Sequence, residues 1–424
     1  MNRIICVGFC CICLLSNSFA QEQQTGLYSA EMQAQVEQEN NAQNEIIKKL
    51  QNLQIAGFIQ TQYQWGEEDA LLMVGAPNES PDNSFNRIGI RRGRIKITYE
   101  EKIASGVFQF DMTEKGFGVR DAYLHIKNPW EKAITLKAGL FIRPFGNELS
   151  HSSPQLESPE RSGIIRTLFP EDRDLGVAFA IKPSKNSQIH FLQLEAGLFT
   201  GNGIKQEIDS RKDFIGHLSA FKKIKSIELG GGISYYNGSV FQGTENIYRI
   251  KGDEFVLNNS ADNKGKFAKR EYFGFDGQLG LKTGIGTTQL RIEYLFGKQP
   301  GAAGSSKSPN ESSLPVHDTF IRNFNGGYII FVQGLGSLPL SAVLKYDWYD
   351  PNTKVSGNSI GQHNTTKGDI ARNTFGFGML WQINTSLRLQ AYYEINKNEK
   401  SENLADYNED MKDNVFTFRM QYKF

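Results

Sequence analysis

Phe416-Thr417-Phe418-Arg419-Met420-Gln421-Tyr422-Lys423-Phe424 closes the sequence. Phe416, Phe418, Met420, Tyr422 and Phe424 take every second place, and Thr417, Arg419, Gln421 and Lys423 lie between them. A period of two marks a β-strand whose two faces meet different surroundings. Here one face is wholly apolar and the other wholly polar, and an aromatic residue stands last.

The same period recurs upstream. In Gln54–Trp65, Gln60, Gln62 and Gln64 oppose Ile59, Thr61, Tyr63 and Trp65. Within 86–100, Arg92, Arg94 and Lys96 oppose Ile95, Ile97 and Tyr99. Residues 106–112 set Gln109 and Asp111 against Phe108 and Phe110, and 133–143 set Lys137 and Arg143 against Leu136, Ala138, Leu140 and Ile142. Like segments stand at 119–128, 174–182, 188–200, 213–222, 226–237, 272–283, 287–297, 322–333, 338–349, 372–384, 386–397 and 413–424, sixteen in all. Most have the 9–11 or so residues that a tilted strand needs to cross a bilayer.

The connections sort by parity. One set is mostly long: 66–85, 113–118, 145–173, 201–212, 238–271, 298–321, 350–371 and 398–412. The other is tight, near 101–105, 128–132, 183–187, 223–225, 284–286, 334–337 and 384–386. A soluble sandwich has no reason to sort its loops this way. The pattern predicts an all-β chain over 54–424, a 16-stranded antiparallel transmembrane β-barrel. A mean hydropathy of −0.44 does not oppose this, because only alternate barrel residues face lipid. Trp65, Trp348, Tyr99, Tyr422 and Phe424 lie near strand ends, where interfacial aromatic girdles form.

At the other end, Arg3 precedes the apolar run Ile4–Leu15 and the small residues Ser18 and Ala20. That is the shape of a signal peptide, residues 1–20, cleaved after Ala20. The run is too short for a spanning helix. Cleavage would remove all four cysteines (Cys6, Cys10, Cys11 and Cys13), leaving no thiol, no disulfide and no Cys-ligated metal. No paired histidines stand at ligand spacing, so neither metal nor cofactor is expected. Residues 21–53 are polar and helix-like, with Met32, Val36, Ile46, Leu50 and Leu53 on one stripe. They read as a short periplasmic helical segment, a coiled coil or a loose spacer. Lys and Arg number 47 against 46 Asp and Glu, a formal net charge of +1, which excludes a strongly basic nucleic-acid binder.

A strand in lipid must have its backbone paired, so the sheet closes. Its outward side chains meet hydrocarbon, where Arg or Lys costs about 2–4 kcal/mol at mid-depth. The polar face therefore lines the lumen. By parity it carries Arg92, Arg94, Lys96, Lys137, Arg143, Arg291, Arg388 and Arg419, with Asp111, Asp121, Glu195, Glu293 and Glu394. Sixteen strands enclose an aqueous channel. The basic residues concentrate in the second and fifth strands, which favours anions. Connection 145–173 mixes Glu148, Glu157, Glu160, Arg161, Arg166, Glu171, Asp172 and Arg173 with Ile164, Ile165, Leu168 and Phe169. A solvated loop needs no such apolar group, so this one is expected to fold inward and narrow the pore.

The first half resembles the phosphate-selective porin O and P family of Gram-negative outer membranes. The resemblance rests on Ile90-Arg91-Arg92-Gly93-Arg94, Gly106-Val107-Phe108-Gln109-Phe110-Asp111, Val119-Arg120-Asp121-Ala122-Tyr123-Leu124, Ala138-Gly139-Leu140-Phe141-Ile142-Arg143-Pro144-Phe145-Gly146, Glu160-Arg161 and Asp172-Arg173-Asp174-Leu175-Gly176-Val177. It covers about 90–180, and beyond 180 no matching phosphate-site motif stands. It implies an outer-membrane location, a homotrimer, an infolded loop and arginines along an anion path. It also implies that Arg92, Arg94, Arg143 and Arg173 line the pore, with Asp111 and Asp121 at acidic motif positions. The terminal strand ending in Phe424 resembles the signal read by the barrel-assembly machinery. The implied partners are small anions such as phosphate, outer-membrane lipid and lipopolysaccharide.

The expected function is an outer-membrane porin for passive diffusion, anion-preferring, with phosphate as leading solute. The alternatives are a non-selective pore and an outer-membrane enzyme of phospholipase or protease type. The six histidines (His125, His151, His190, His217, His317 and His363) are scattered and match no hydrolase motif, so no catalytic residue is expected. An energy-coupled receptor needs a plug domain, for which 21–53 is too short.

Overall fold

Gly57 and Phe424 exchange two backbone hydrogen bonds of 3.0 Å, and this pair closes the sheet. The computed structural model describes residues 25–80, 82–128 and 133–424. The signal peptide expected over 1–20 lies outside them. The chain divides into two units that meet at Asn52 and Leu53. In the first, α1 spans Thr25–Gln51 and ends on Lys48 and Lys49, cations that suit the negative end of the helix dipole. Among the described residues no helix is long and apolar enough to cross a membrane.

The second unit is strands: β1 (Leu53–Gly66), β2 (Phe85–Glu101), β3 (Ala104–Thr113), β4 (Gly116–Lys127), β5 (Ile134–Ile142), β6 (Arg173–Ile181), β7 (Leu192–Phe199), β8 (Asp213–Ile224), β9 (Ile227–Phe241), β10 (Asn246–Lys251), β11 (Glu254–Asn259), β12 (Phe267–Thr283), β13 (Gly286–Gly301), β14 (Thr319–Gly334), β15 (Leu340–Asp350), β16 (Arg372–Gln382), β17 (Leu387–Asn398) and β18 (Val415–Lys423). β9 pairs directly with β12, and β1 pairs with both β2 and β18. Sixteen strands therefore close an antiparallel barrel, as the alternation predicts. The reading of 238–271 as a plain connection needs correction. It holds the β10–β11 hairpin, and β10 lies parallel to the start of β14 through Ile247–Thr319, Tyr248–Phe320 and Arg249–Ile321. β7 also starts at Leu192 rather than 188.

The two faces follow the pleat. Ile59, Leu124, Leu198, Phe275, Leu344 and Phe418 stand exposed outside, the surface a hydrocarbon bilayer covers. Inside, the β1–β18 seam is tied by side chains. Gln60 donates to Gln421 at 2.7 Å, Gln64 to Thr417 at 3.0 Å, and Arg419 Nε to Gln62 at 2.9 Å.

Two β-bulges interrupt the pleat, and each inserts an arginine. Between β1 and β2 the register steps from Gln60–Arg92 to Thr61–Ile90, leaving Arg91 as the extra residue. Between β3 and β4 it steps from Gln109–Asp121 to Phe110–Val119, leaving Arg120. A bulge shifts the parity of its strand and re-aims a side chain. Unbroken alternation would put Ile88 and Ile90 in the lumen beside Arg92. The bulge returns both to the outside, with Ile88 77% exposed, and turns Arg91 inward.

Candidate functional site in the barrel lumen

The segment between β5 and β6, residues 143–172, runs into the lumen, as its apolar residues predict. Its entry is fixed by backbone donors. Gly146 N–H donates to Ser234 Oγ at 2.9 Å, and the N–H groups of Asn147 and Glu148 donate to Glu293 Oε2 at 3.1 and 2.9 Å. Gly146 has φ +60°, and a Cβ there would lie 1.8 Å from Glu293 Oε1. The turn needs glycine for both conformation and space.

Beyond it, the short helix α2 (Gly163–Leu168) presents Ile164, Ile165 and Leu168, all fully buried with Phe169. They pack with Phe145 and Leu149 against Phe199, Ile215, Tyr236, Tyr272, Leu295 and Phe324 of the wall. The Phe169 ring lies 4.9 Å from Phe145 and 5.9 Å edge-on from Tyr272. One side of the lumen is thus a dry core, and burial of these side chains stabilises the infolded position.

Charges hold the other margin. Arg91 donates twice to the Glu160 carboxylate at 2.8 Å, Arg92 at 2.7 Å and Arg419 at 3.0 Å. Arg419 also reaches the Pro159 carbonyl at 2.7 Å. Lys345 donates to Glu148 at 2.6 Å, and Arg291 pairs with Glu157. A second clamp gathers on Asp172, with Arg161 at 2.7 Å, Arg173 at 3.4 Å and Arg120 at 3.7 Å. The two bulge arginines therefore pin one segment at two places, Arg91 near its middle at Glu160 and Arg120 at its last residue, Asp172. Alternation alone does not place them. Their signal in the sequence is two adjacent polar residues, Arg91-Arg92 and Arg120-Asp121, where a strict pleat admits one.

The predicted lining residues divide. Arg92 and Arg143 are only 3% and 2% exposed. The first serves Glu160, and the second pairs with Asp174 at 3.1 Å. Neither faces open space. Arg94, Lys96, Asp121, Lys137 and Arg173 line a cavity of about 250 Å³ with Gln109, Tyr123, Arg161 and the serines of the segment. Most of these cations already have partners. Arg94 binds Asp111 at 3.0 Å and Ser153 at 3.1 Å, Lys137 binds Glu195 at 2.8 Å, and Arg173 binds Asp121 at 3.0 Å. Asp111 acts on the cavity by holding Arg94. Among the described residues Lys96 has no hydrogen bond or ion pair.

Two groups of the segment are held below their usual pKa, for different reasons. Burial would raise the Glu160 carboxyl, but Arg91, Arg92 and Arg419 hold it well below the usual carboxylate range. Burial and then Arg291 lower the His151 imidazole. His151 is neutral, since its Nε2 accepts from Arg291 at 2.9 Å while Nδ1 faces the Asn147 carbonyl at 3.3 Å. With a depressed pKa, each contributes stability above its unfolded value, about 6.5 for His and 4.3 for Glu, and loses it as pH falls toward the folded value. Current noise recorded from the barrel in a planar bilayer is therefore expected to rise first below about pH 6.5 and again below about pH 4.3. His151→Gln should abolish the first step alone. A noise profile that is unchanged in His151→Gln contradicts this assignment.

Comparison with solved structures concerns the fold. OmpT of Vibrio cholerae, an outer membrane protein folded in vitro and solved in its trimer form, superposes with a TM-score of 0.50 at 10% identity, covering 88% of this chain and 99% of that one. Its mutant lacking loop L8 gives 0.50 at 12% identity with the same coverage. OmpF of Salmonella typhi, solved with daunomycin, gives 0.52 at 10% identity, covering 88% and 97%. The fold is that of a Gram-negative outer-membrane barrel. No family model and no curated protein sequence matches this chain. The barrel's apolar outer face and closed strand pairing place it in the outer membrane.

Proposed function

We propose that this barrel is a porin, a channel for passive diffusion of small solutes with a preference for anions. One observation carries the reading. Segment 143–172 packs one side of the lumen solid, and the cavity left against β2–β5 has Arg94, Lys96, Lys137 and Arg173 on its wall. Such a wall raises the local concentration of anions. The motifs between 90 and 180 suggest phosphate. Three of these four cations already have a carboxylate partner, which supports transit of phosphate as one small anion among others. A homotrimer fits the reading, as does insertion through the strand ending in Phe424 with lipid and lipopolysaccharide around the belt. The enzyme alternative gains nothing from His151, which lies between Arg291 and the Asn147 carbonyl rather than on a hydroxyl.

The test is purified full-length barrel in a planar bilayer under a potassium chloride gradient. A reversal potential directed to chloride is expected. A cation-directed or zero potential from a conducting barrel overturns the anion preference. No conductance from a folded, heat-modifiable barrel overturns the channel.

A further inference from the structure

We propose that the cavity against β2–β5 is a transit site for hydroxylated organic carboxylates of sugar-acid type, held through Lys96. The inference rests on the channel reading above and names the solute class of that site.

Three features of the cavity point the same way. The first is charge. Arg94, Lys137, Arg161 and Arg173 are spent on Asp111, Glu195, Asp172 and Asp121. One half-buried cation, Lys96, has no partner among the described residues. A tightly held phosphate presents several acceptor oxygens and calls for several converging free donors. A carboxylate carries one charge and is matched by one ammonium.

The second is the neutral polar lining. The Tyr123 hydroxyl and the Ser152 hydroxyl border the cavity and have no hydrogen-bond partner among the described residues. Both can donate and accept, which suits a polyhydroxylated solute.

The third is size and apolar wall. About 250 Å³ equals the liquid volume of about eight waters, far more than a bare inorganic anion fills. Phe58, Phe141 and Ile142 form one side, with the Tyr123 and Phe141 rings edge to face at 5.8 Å. Phe58 and Phe141 are largely covered, and the ring edges they present to the cavity suit the carbon chain of an organic anion, which inorganic phosphate lacks.

The experiment measures relative permeability in planar bilayers with the full-length protein. Gluconate or inorganic phosphate replaces chloride on one side. The variants are Lys96→Met, Lys96→Arg, Tyr123→Phe and, as control in an exposed loop, Lys264→Met. Heat-modifiable mobility confirms that each barrel is folded. Lys96→Met is expected to lower the gluconate-to-chloride permeability ratio about fivefold, the scale of one partly exposed charge contact. Lys96→Arg should restore the ratio, Tyr123→Phe should lower it less, and Lys264→Met should leave it unchanged. Equal gluconate permeability in wild type and Lys96→Met overturns the proposal. So does exclusion of gluconate by a barrel that passes chloride, or block of chloride current by phosphate but not gluconate. These results leave the channel reading standing. A folded barrel that passes no chloride removes both.

Discussion

Glu160→Ala is expected to release segment 143–172 from the wall and to make the channel noisier and more conductive. The carboxylate holds three guanidiniums, from Arg91, Arg92 and Arg419, at 2.7–3.0 Å. Arg92, Arg419 and Glu160 are nearly inaccessible. Removing the one anion leaves cations that repel each other with little water to screen them. Breaking a buried pair of this kind costs about 3–5 kcal/mol, enough to shift a local equilibrium by more than about a hundredfold. Glu160→Gln keeps the shape and loses the charge, so it should show most of the effect. Single-channel noise and the urea midpoint of the heat-modifiable form are the readouts. If both variants match wild type, the clamp does not hold the segment.

Phe169→Ala should act on the opposite side of the same segment. Its ring is fully buried among Phe145, Tyr236 and Tyr272, and the Arg143 guanidinium lies 5.9 Å from its centre. Truncating such a ring costs about 3–5 kcal/mol, the lost burial plus the void left behind. The thermal midpoint is expected to fall and conductance to rise, because the packed side of the lumen loosens. The reversal potential should stay near wild type, since Arg94, Lys96, Lys137 and Arg173 lie in the other part. A shifted reversal potential with an unchanged thermal midpoint would mean that Phe169 borders the ion path instead of the core.

The two variants separate what the segment does through packing from what it does through charge. They also show which parts of the design are written locally. The sixteen strands are legible because alternation is a property of neighbouring residues: Phe416 to Phe424 declares its two faces without any partner. The inward course of 145–173 is legible for a related reason, since Ile164, Ile165, Leu168 and Phe169 have no place in solvent. The β10–β11 hairpin escapes such reading because Asn246–Lys251 and Glu254–Asn259 are short and only weakly alternating.

Composition and period by themselves determine the all-β class, the strand faces and the basic character of one wall. Only the tertiary structure decides which of those basic residues stay free. Glu160 lies 259 positions from Arg419 and 69 from Arg91, and Arg173 reaches Asp121 across 52 positions. No local pattern encodes such pairings. The bulges at Arg91 and Arg120 likewise depend on register with the neighbouring strand. Charge along a strand is set by sequence, but neutralisation is set by distance, and distance exists only once the barrel has closed.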